Sequence, residues 1–194
     1  TVCPAVSASR DLTITNTNTS TLSAVVWLQT NPSNILDGAT NNKIMNVNIA
    51  GNGNTQTLIG IGCGTSSIGI TSLGTQNNNN AYVNNNISKT QYGIYSQGLN
   101  IGSKNSGTVI NQNLINTVAP NNTARGGIII GFEDNISISG NTISEIAQTS
   151  SPDVFGITTG STSITTSSFV GNEITNATIT KNNIGNIRNT GTFS

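Results

Sequence analysis

The chain of 194 residues has no histidine, one tryptophan, one methionine, two cysteines and four prolines. Without histidine there is no imidazole acid, base or metal ligand, and no Ser-His-Asp triad. Two cysteines alone do not make an ordinary zinc site. Charge is equally scarce: 7 basic and 7 acidic residues cancel, and only 7% of the chain is charged. That removes the electrostatic basis for nucleic-acid or anionic-membrane partners. No apolar run approaches the roughly 20 residues of a membrane span, so membrane insertion is not expected. A secretory leader is also missing; the chain opens at Thr1-Val2-Cys3, as a mature form or an excised piece does. Leucine occurs 8 times, too few for a leucine-rich repeat.

What is there is narrow. Asn (32), Thr (29), Ser (22) and Gly (21) fill more than half of the chain, and Ile occurs 26 times. Ile and Thr are β-branched and suit a pleated surface, whereas helices draw on Leu, Ala, Glu and Lys. Disorder goes with high net charge and few β-branched residues, the opposite of this balance. The composition predicts strands and turns throughout.

Order appears as a repeat. Tyr82-Val-Asn-Asn85-Asn-Ile87 is echoed by Ile110-Asn-Gln-Asn113-Leu-Ile115 and Ile138-Ser-Gly-Asn141-Thr-Ile143, each 28 residues after the last. A fixed period in this range marks a repeat architecture. Ile44-Met-Asn-Val47-Asn-Ile49 and Ile179-Thr-Lys-Asn182-Asn-Ile184 extend the series with looser spacing. The wider steps predict an insertion of about 10 residues before Tyr82 and a loop around Ser161 to Glu173. Each unit is followed by a Gly-Ile element, at Gly93-Ile94, Gly127-Ile128 and Gly156-Ile157. Further strands are expected at Leu12–Thr17, Ala24–Gln29, Leu58–Cys63 and Ile68–Ile70, with Trp27 buried.

Strands recurring once per turn pair parallel at about 4.8 Å. Ile44, Tyr82, Ile110, Ile138 and Ile179 then form one stack, and Ile49, Ile87, Ile115, Ile143 and Ile184 another. Asn85, Asn113, Asn141 and Asn182 fall between them, as a ladder at a corner where asparagine tolerates left-handed backbone. Gly93, Gly127 and Gly156 read as tight corners. The fold class is therefore all-β: a right-handed parallel β-helix, or solenoid, of about five to six coils. Residues 1–21 form an N-terminal segment and residues 22–194 the β-helix, read as a fragment of a longer solenoid. The chain stops mid-coil at Gly191-Thr-Phe-Ser194, which predicts continuation or stacking there.

The pattern apolar-x-x-Asn-x-Ile, a variable loop, then Gly-Ile resembles the repeat of pectate-lyase-like right-handed parallel β-helix proteins. Asn41-Asn-Lys-Ile-Met-Asn-Val-Asn-Ile49 and Tyr92-Gly-Ile-Tyr95 look like large secreted surface proteins of Bacteroidetes. The resemblance covers roughly residues 41–194. It implies an extracellular or cell-surface location and a family that includes lyases, hydrolases and adhesins. Family lyases use acidic calcium ligands with an Arg or Lys base, and family hydrolases use Asp residues on neighbouring coils.

Against those requirements the residues offer little, and no catalytic residue is assigned. Glu133-Asp134 is the one acidic pair, read either as a cation site, with calcium as the implied ion, or as a solvated turn. Paired carboxylates for glycoside hydrolysis must lie about 5–10 Å apart, and no other acids fall in adjacent register. Tyr92 and Tyr95 flank the Gly-Ile element and are candidate carbohydrate contacts if they face outward. Cys3 and Cys63 are either a disulfide of a secreted chain or two separate small buried residues. The resulting expectation is a non-catalytic surface, adhesion or filament module. Its partners are polysaccharide, or other copies of itself stacked end to end. The scaffold of a polysaccharide lyase or glycosidase is the alternative, and an ice-binding face of threonine ranks a more distant one.

Overall fold

The computed structural model describes residues 9–149, 154–160 and 173–191. Among them there are strands and turns and no helix, and every strand-strand pairing is parallel.

The strands fall into stacked sheets that the chain visits in a fixed order. Sheet I has six strands, from Leu12–Thr15 through Val47–Ala50, Asn86–Ser88, Leu114–Ile115 and Thr142–Ile143 to Asn183–Ile184. Sheet II has five, from Lys43–Met45 through Ala81–Val83, Val109–Asn111 and Ser137–Ser139 to Thr178–Thr180. Sheet III holds the longer strands Ala24–Gln29, Ile59–Gly64, Tyr92–Gln97, Gly126–Gly131 and Phe155–Thr159. Sheet IV is formed by Asn105–Ser106, Glu133–Asp134 and Ile174–Thr175. A complete circuit runs II, I, III, IV and back to II. Leu12–Thr15, inside the expected N-terminal segment, is the first strand of sheet I.

The isoleucine stacks have the expected register. Ile44 pairs with Tyr82, Tyr82 with Ile110, Ile110 with Ile138 and Ile138 with Ile179. In sheet I, Ile14 pairs with Ile49, Ile49 with Ile87, Ile115 with Ile143 and Ile143 with Ile184. Together with Ile61, Ile94 and Ile128 of sheet III these side chains make one interior core, except Ile179 and Ile184, which lie exposed at its edge. Each such side chain contributes about 1.5–3 kcal/mol on burial.

The asparagine ladder lies inside that core. Asn85, Asn113 and Asn141 are fully buried. Each accepts at Oδ1 from the preceding rung: Asn85 N and Nδ2 donate to Asn113 at 3.0 and 3.1 Å, and Asn113 N and Nδ2 to Asn141 at 2.9 and 3.0 Å. Asn141 donates likewise to Asn182 at 3.0 and 2.9 Å. Left-handed backbone belongs instead to the residues just before the rungs. Asn46, Asn84, Gln112, Gly140 and Lys181 all have positive φ, from 52° to 66°. The turned residue thus faces out and the rung behind it faces in. A second series of such corners runs through Asn41, Asn79, Gly107, Asn135 and Asn176, and a third includes Lys89, Glu145 and Asn186.

The Gly-Ile glycines are not corners. None of Gly93, Gly127 and Gly156 has positive φ; all lie within sheet III strands. Their role is close approach. A Cβ on Gly93 would fall 2.6 Å from the Gly127 carbonyl oxygen and 2.7 Å from Ile115 Cδ1. On Gly127 it would meet Ile143 at 2.5 Å, and on Gly156 Ile184 at 2.5 Å. Each glycine makes room for the next circuit's isoleucine. Ile68–Ile70 is not a strand; it lies in the loop after Gly64, where both isoleucines pack on the outside of sheet III. The loop expected around Ser161 lies outside the described residues.

Candidate functional site

Successive residues of a strand point to opposite faces. Glu133 and Asp134 occupy a sheet IV strand rather than a turn, so their side chains diverge. Glu133 is fully buried. Ser96 Oγ donates to its Oε1 at 2.5 Å, Asn105 Nδ2 to the same oxygen at 3.4 Å, and Thr108 Oγ1 to Oε2 at 2.8 Å. Burial pushes the Glu133 carboxyl up to about 7, against the pull of these three donors. Asp134 faces outward and accepts from Thr175 Oγ1 at 2.5 Å and Asn176 Nδ2 at 2.9 Å. Those donors hold its carboxyl below the ordinary value. The two acids share no site, and no group of three or more His, Cys, Asp or Glu side chains suited to a metal forms among the described residues.

Glu133 belongs to a second buried ladder. Asn77, Asn105 and Glu133 are spaced by 28 residues, and Asn77 N donates to Asn105 Oδ1 at 3.1 Å. Cys63 lies against this column. Its thiol is free and buried, 3.0 Å from Ser96 Oγ. Because Ser96 donates to Glu133, the thiol donates to Ser96. Burial first, and then the Glu133 charge, push the thiol up to about 12. An inert, enclosed thiol of this kind behaves as a small core residue. Cys3, its proposed disulfide partner, lies outside the described residues.

Tyr92 and Tyr95 are fully buried, so neither offers a ring face to a sugar. Both project from the outer side of sheet III into a second apolar cluster. Tyr92 stacks on Phe155 at 6.1 Å and carries the Arg125 guanidinium 5.3 Å above its ring. Tyr95 stacks on Trp27 at 5.9 Å and donates its hydroxyl to Ser72 O at 3.0 Å. Trp27 is half-buried and donates Nε1 to Thr65 O at 2.8 Å. The loop carrying Thr65 and Ser72 covers what would otherwise be an aromatic surface. Threonine ranks do not continue either: the row of Thr13 in sheet I passes through Asn48, Asn86, Leu114, Thr142 and Asn183.

A concave feature lies elsewhere. A cleft of about 620 Å³ runs along the connections from sheet I to sheet III and is lined by Asn54, Gln91, Asn122, Arg125, Gln148 and Arg188 among others. These residues come from the segments that follow five successive sheet I strands. At the spacing of paired strands they span roughly 19 Å. Asn122 ties the wall together: it accepts from Asn54 Nδ2 at 2.7 Å and donates to Ala147 O at 3.0 Å. Arg188 is fixed by Glu145 at 3.1 Å, with its side chain half exposed at 49%. The lining combines amides, hydroxyls and two guanidiniums with the apolar faces of Ala119, Ala124 and Ala147.

Searches against protein-family models, curated proteins and solved structures return no match. The likeness to pectate-lyase-like repeats therefore rests on the repeat pattern and the parallel sheets. Sequence reading missed the cleft residues because they sit in connections of unequal length, outside the 28-residue rhythm. Their one shared signal is that each lies after a sheet I isoleucine and before the next sheet III position, at no constant spacing.

Proposed function

We propose that the chain is a right-handed parallel β-helix of five to six coils that serves as a secreted or cell-surface module. Its role is adhesive or structural, with polysaccharide held in the cleft and further solenoid stacked at its ends. The observation that carries the glycan part is the cleft itself: open, lined by amides, hydroxyls and two guanidiniums beside apolar surface, and running past the segments that follow five successive sheet I strands. A linear polymer fits a groove of that shape better than a compact metabolite does. Calcium is not required by this reading. The alternative, a lyase or glycosidase scaffold, needs acids converging in a groove, and Glu133 is enclosed while Asp134 turns away.

Retention on immobilised neutral and acidic polysaccharides tests the proposal, with unsaturated products assayed alongside. Binding without product is expected. Gln148→Ala and Arg188→Ala together weaken it about tenfold, in line with the loss of one or two hydrogen bonds. Thermal unfolding measured in parallel keeps lost binding apart from lost folding. Unsaturated products favour the lyase scaffold, and no retention on any polysaccharide removes the glycan role.

A further inference from the structure

Asparagine is a thermolabile residue, and this chain has 32 of them. The side-chain amide is lost when the backbone nitrogen of the next residue attacks Cγ. Three conditions favour that attack: a next residue without Cβ, a next N–H outside any hydrogen bond, and water at the side chain. The ladders work against all three. Asn85, Asn105, Asn113 and Asn141 are fully buried, and each is followed by a residue with a Cβ. The N–H that follows a rung is also engaged. Leu114 N donates to Asn85 O at 2.8 Å, Thr142 N to Asn113 O at 2.9 Å and Asn183 N to Asn141 O at 2.8 Å. Ser106 N, after Asn105, donates to Asn78 Oδ1 at 2.8 Å.

Asn52 meets the three conditions together. Asn52-Gly53 is the one Asn-Gly step in the sequence. Asn52 is exposed, in the connection between Val47–Ala50 and Ile59–Gly64. Among the described residues the Gly53 N–H meets no acceptor. A Cβ on Gly53 would meet nothing closer than 3.6 Å, so this glycine keeps its backbone freedom. We propose that Asn52 is a self-modification site that converts to aspartate and isoaspartate with water as the co-reactant. The Gly53 nitrogen bonds to Asn52 Cγ and gives up its proton, Nδ2 leaves as ammonia, and a cyclic imide closes. Water then opens the ring. Cleavage at Cγ gives aspartate. Cleavage at the main-chain carbonyl carbon gives isoaspartate, with the chain rerouted through the side chain.

The change reaches the cleft. The lost amide is the one that donates to Gln56 Oε1 at 2.5 Å, and a carboxylate in its place has no proton to give. Isoaspartate also lengthens the main chain just before Asn54, which donates to Asn122 Oδ1 at 2.7 Å in the cleft wall. Aged chains therefore hold glycan more weakly. That consequence rests on the glycan reading, whereas the modification does not.

The test holds the full chain at mildly alkaline pH, where the attacking nitrogen loses its proton more readily, and samples it over days. Peptide mass mapping gives the conversion at each site, and an isoaspartate-specific methyltransferase labels the rerouted product. Asn52 is expected to convert ahead of every other asparagine. Gly53→Ala should slow it about tenfold, with an unchanged unfolding midpoint showing that the fold is kept. Earlier conversion at another asparagine, or wild-type speed in Gly53→Ala, overturns the proposal. On a polysaccharide that retains the fresh chain, retention of the aged chain should fall in step with isoaspartate. Full retention of the aged chain overturns the link to the cleft. No retention of the fresh chain overturns the glycan reading and leaves the modification standing.

Discussion

Glu133 stands where Asn105 and Asn77 stand one and two circuits earlier, and this single change of residue puts a proton inside the core. Burial raises its carboxyl from the ordinary 4.5 to about 7. The folded chain therefore keeps a proton that the unfolded chain releases across this window. Protons bound in excess by the folded state mean that stability falls as pH rises from about 4.5 to about 7, then levels off. The shift corresponds to something on the order of 3 kcal/mol. Urea unfolding at about pH 5 and about pH 8 should show the wild type less stable at the higher pH. Glu133→Gln, which keeps an acceptor for Ser96, should flatten that slope. A slope that survives the substitution assigns it to another group. Cys63 takes no part below alkaline pH, because burial and the neighbouring carboxylate hold its thiol near 12.

Sheet III shows how an element is set by what it leaves out. Its column of Gly60, Gly93, Gly127 and Gly156 lies under Ile87, Ile115, Ile143 and Ile184 of the following circuits. Gly93→Ala places a methyl 2.6 Å from a backbone oxygen that cannot swing aside. It should cost about 1–3 kcal/mol or more, as overpacking of a close-packed core does. Gly53→Ala, with nothing closer than 3.6 Å, should be nearly neutral. Denaturant midpoints of the two variants decide whether close approach is what the column requires.

The isoleucine stacks and the Asn85 ladder were legible from sequence because one physical constraint, register between identical strands, acts directly on residue spacing. The Gly-Ile elements were legible as positions but not in their role, since close approach and positive φ leave the same residue behind. The ladder of Asn77, Asn105 and Glu133 keeps the same period. It was hidden by an uninformative asparagine tract at one end and by a change of residue type at the other. Tyr92 and Tyr95 could not be placed, because their burial depends on Phe155 and on the loop carrying Thr65 and Ser72. Loops that fold back over a sheet have no period to betray them.

At the scale of the molecule, each circuit contacts chiefly its neighbours, so stability is close to a sum of circuit and interface terms. The circuits with Tyr92–Gln97 and Gly126–Gly131 are covered on both sides and wholly buried along those strands. The last described circuit is exposed throughout Thr178–Thr180. Native-state hydrogen exchange should therefore be graded along the stacking direction, slowest in the central two circuits and fastest at Thr178–Ile184. Uniform protection would mean a single cooperative unit in place of the additive stack.

The Asn85 ladder is built from uncharged amides, and the Arg188–Glu145 ion pair lies at the surface. Ionic strength acts on a fold by screening charge against charge. Along the Asn85 ladder it finds little to screen: the side-chain bonds that join those circuits run between buried dipoles. Unfolding of the circuits joined by that ladder should therefore change little between low and high salt, while the Arg188–Glu145 pair responds to salt on its own account.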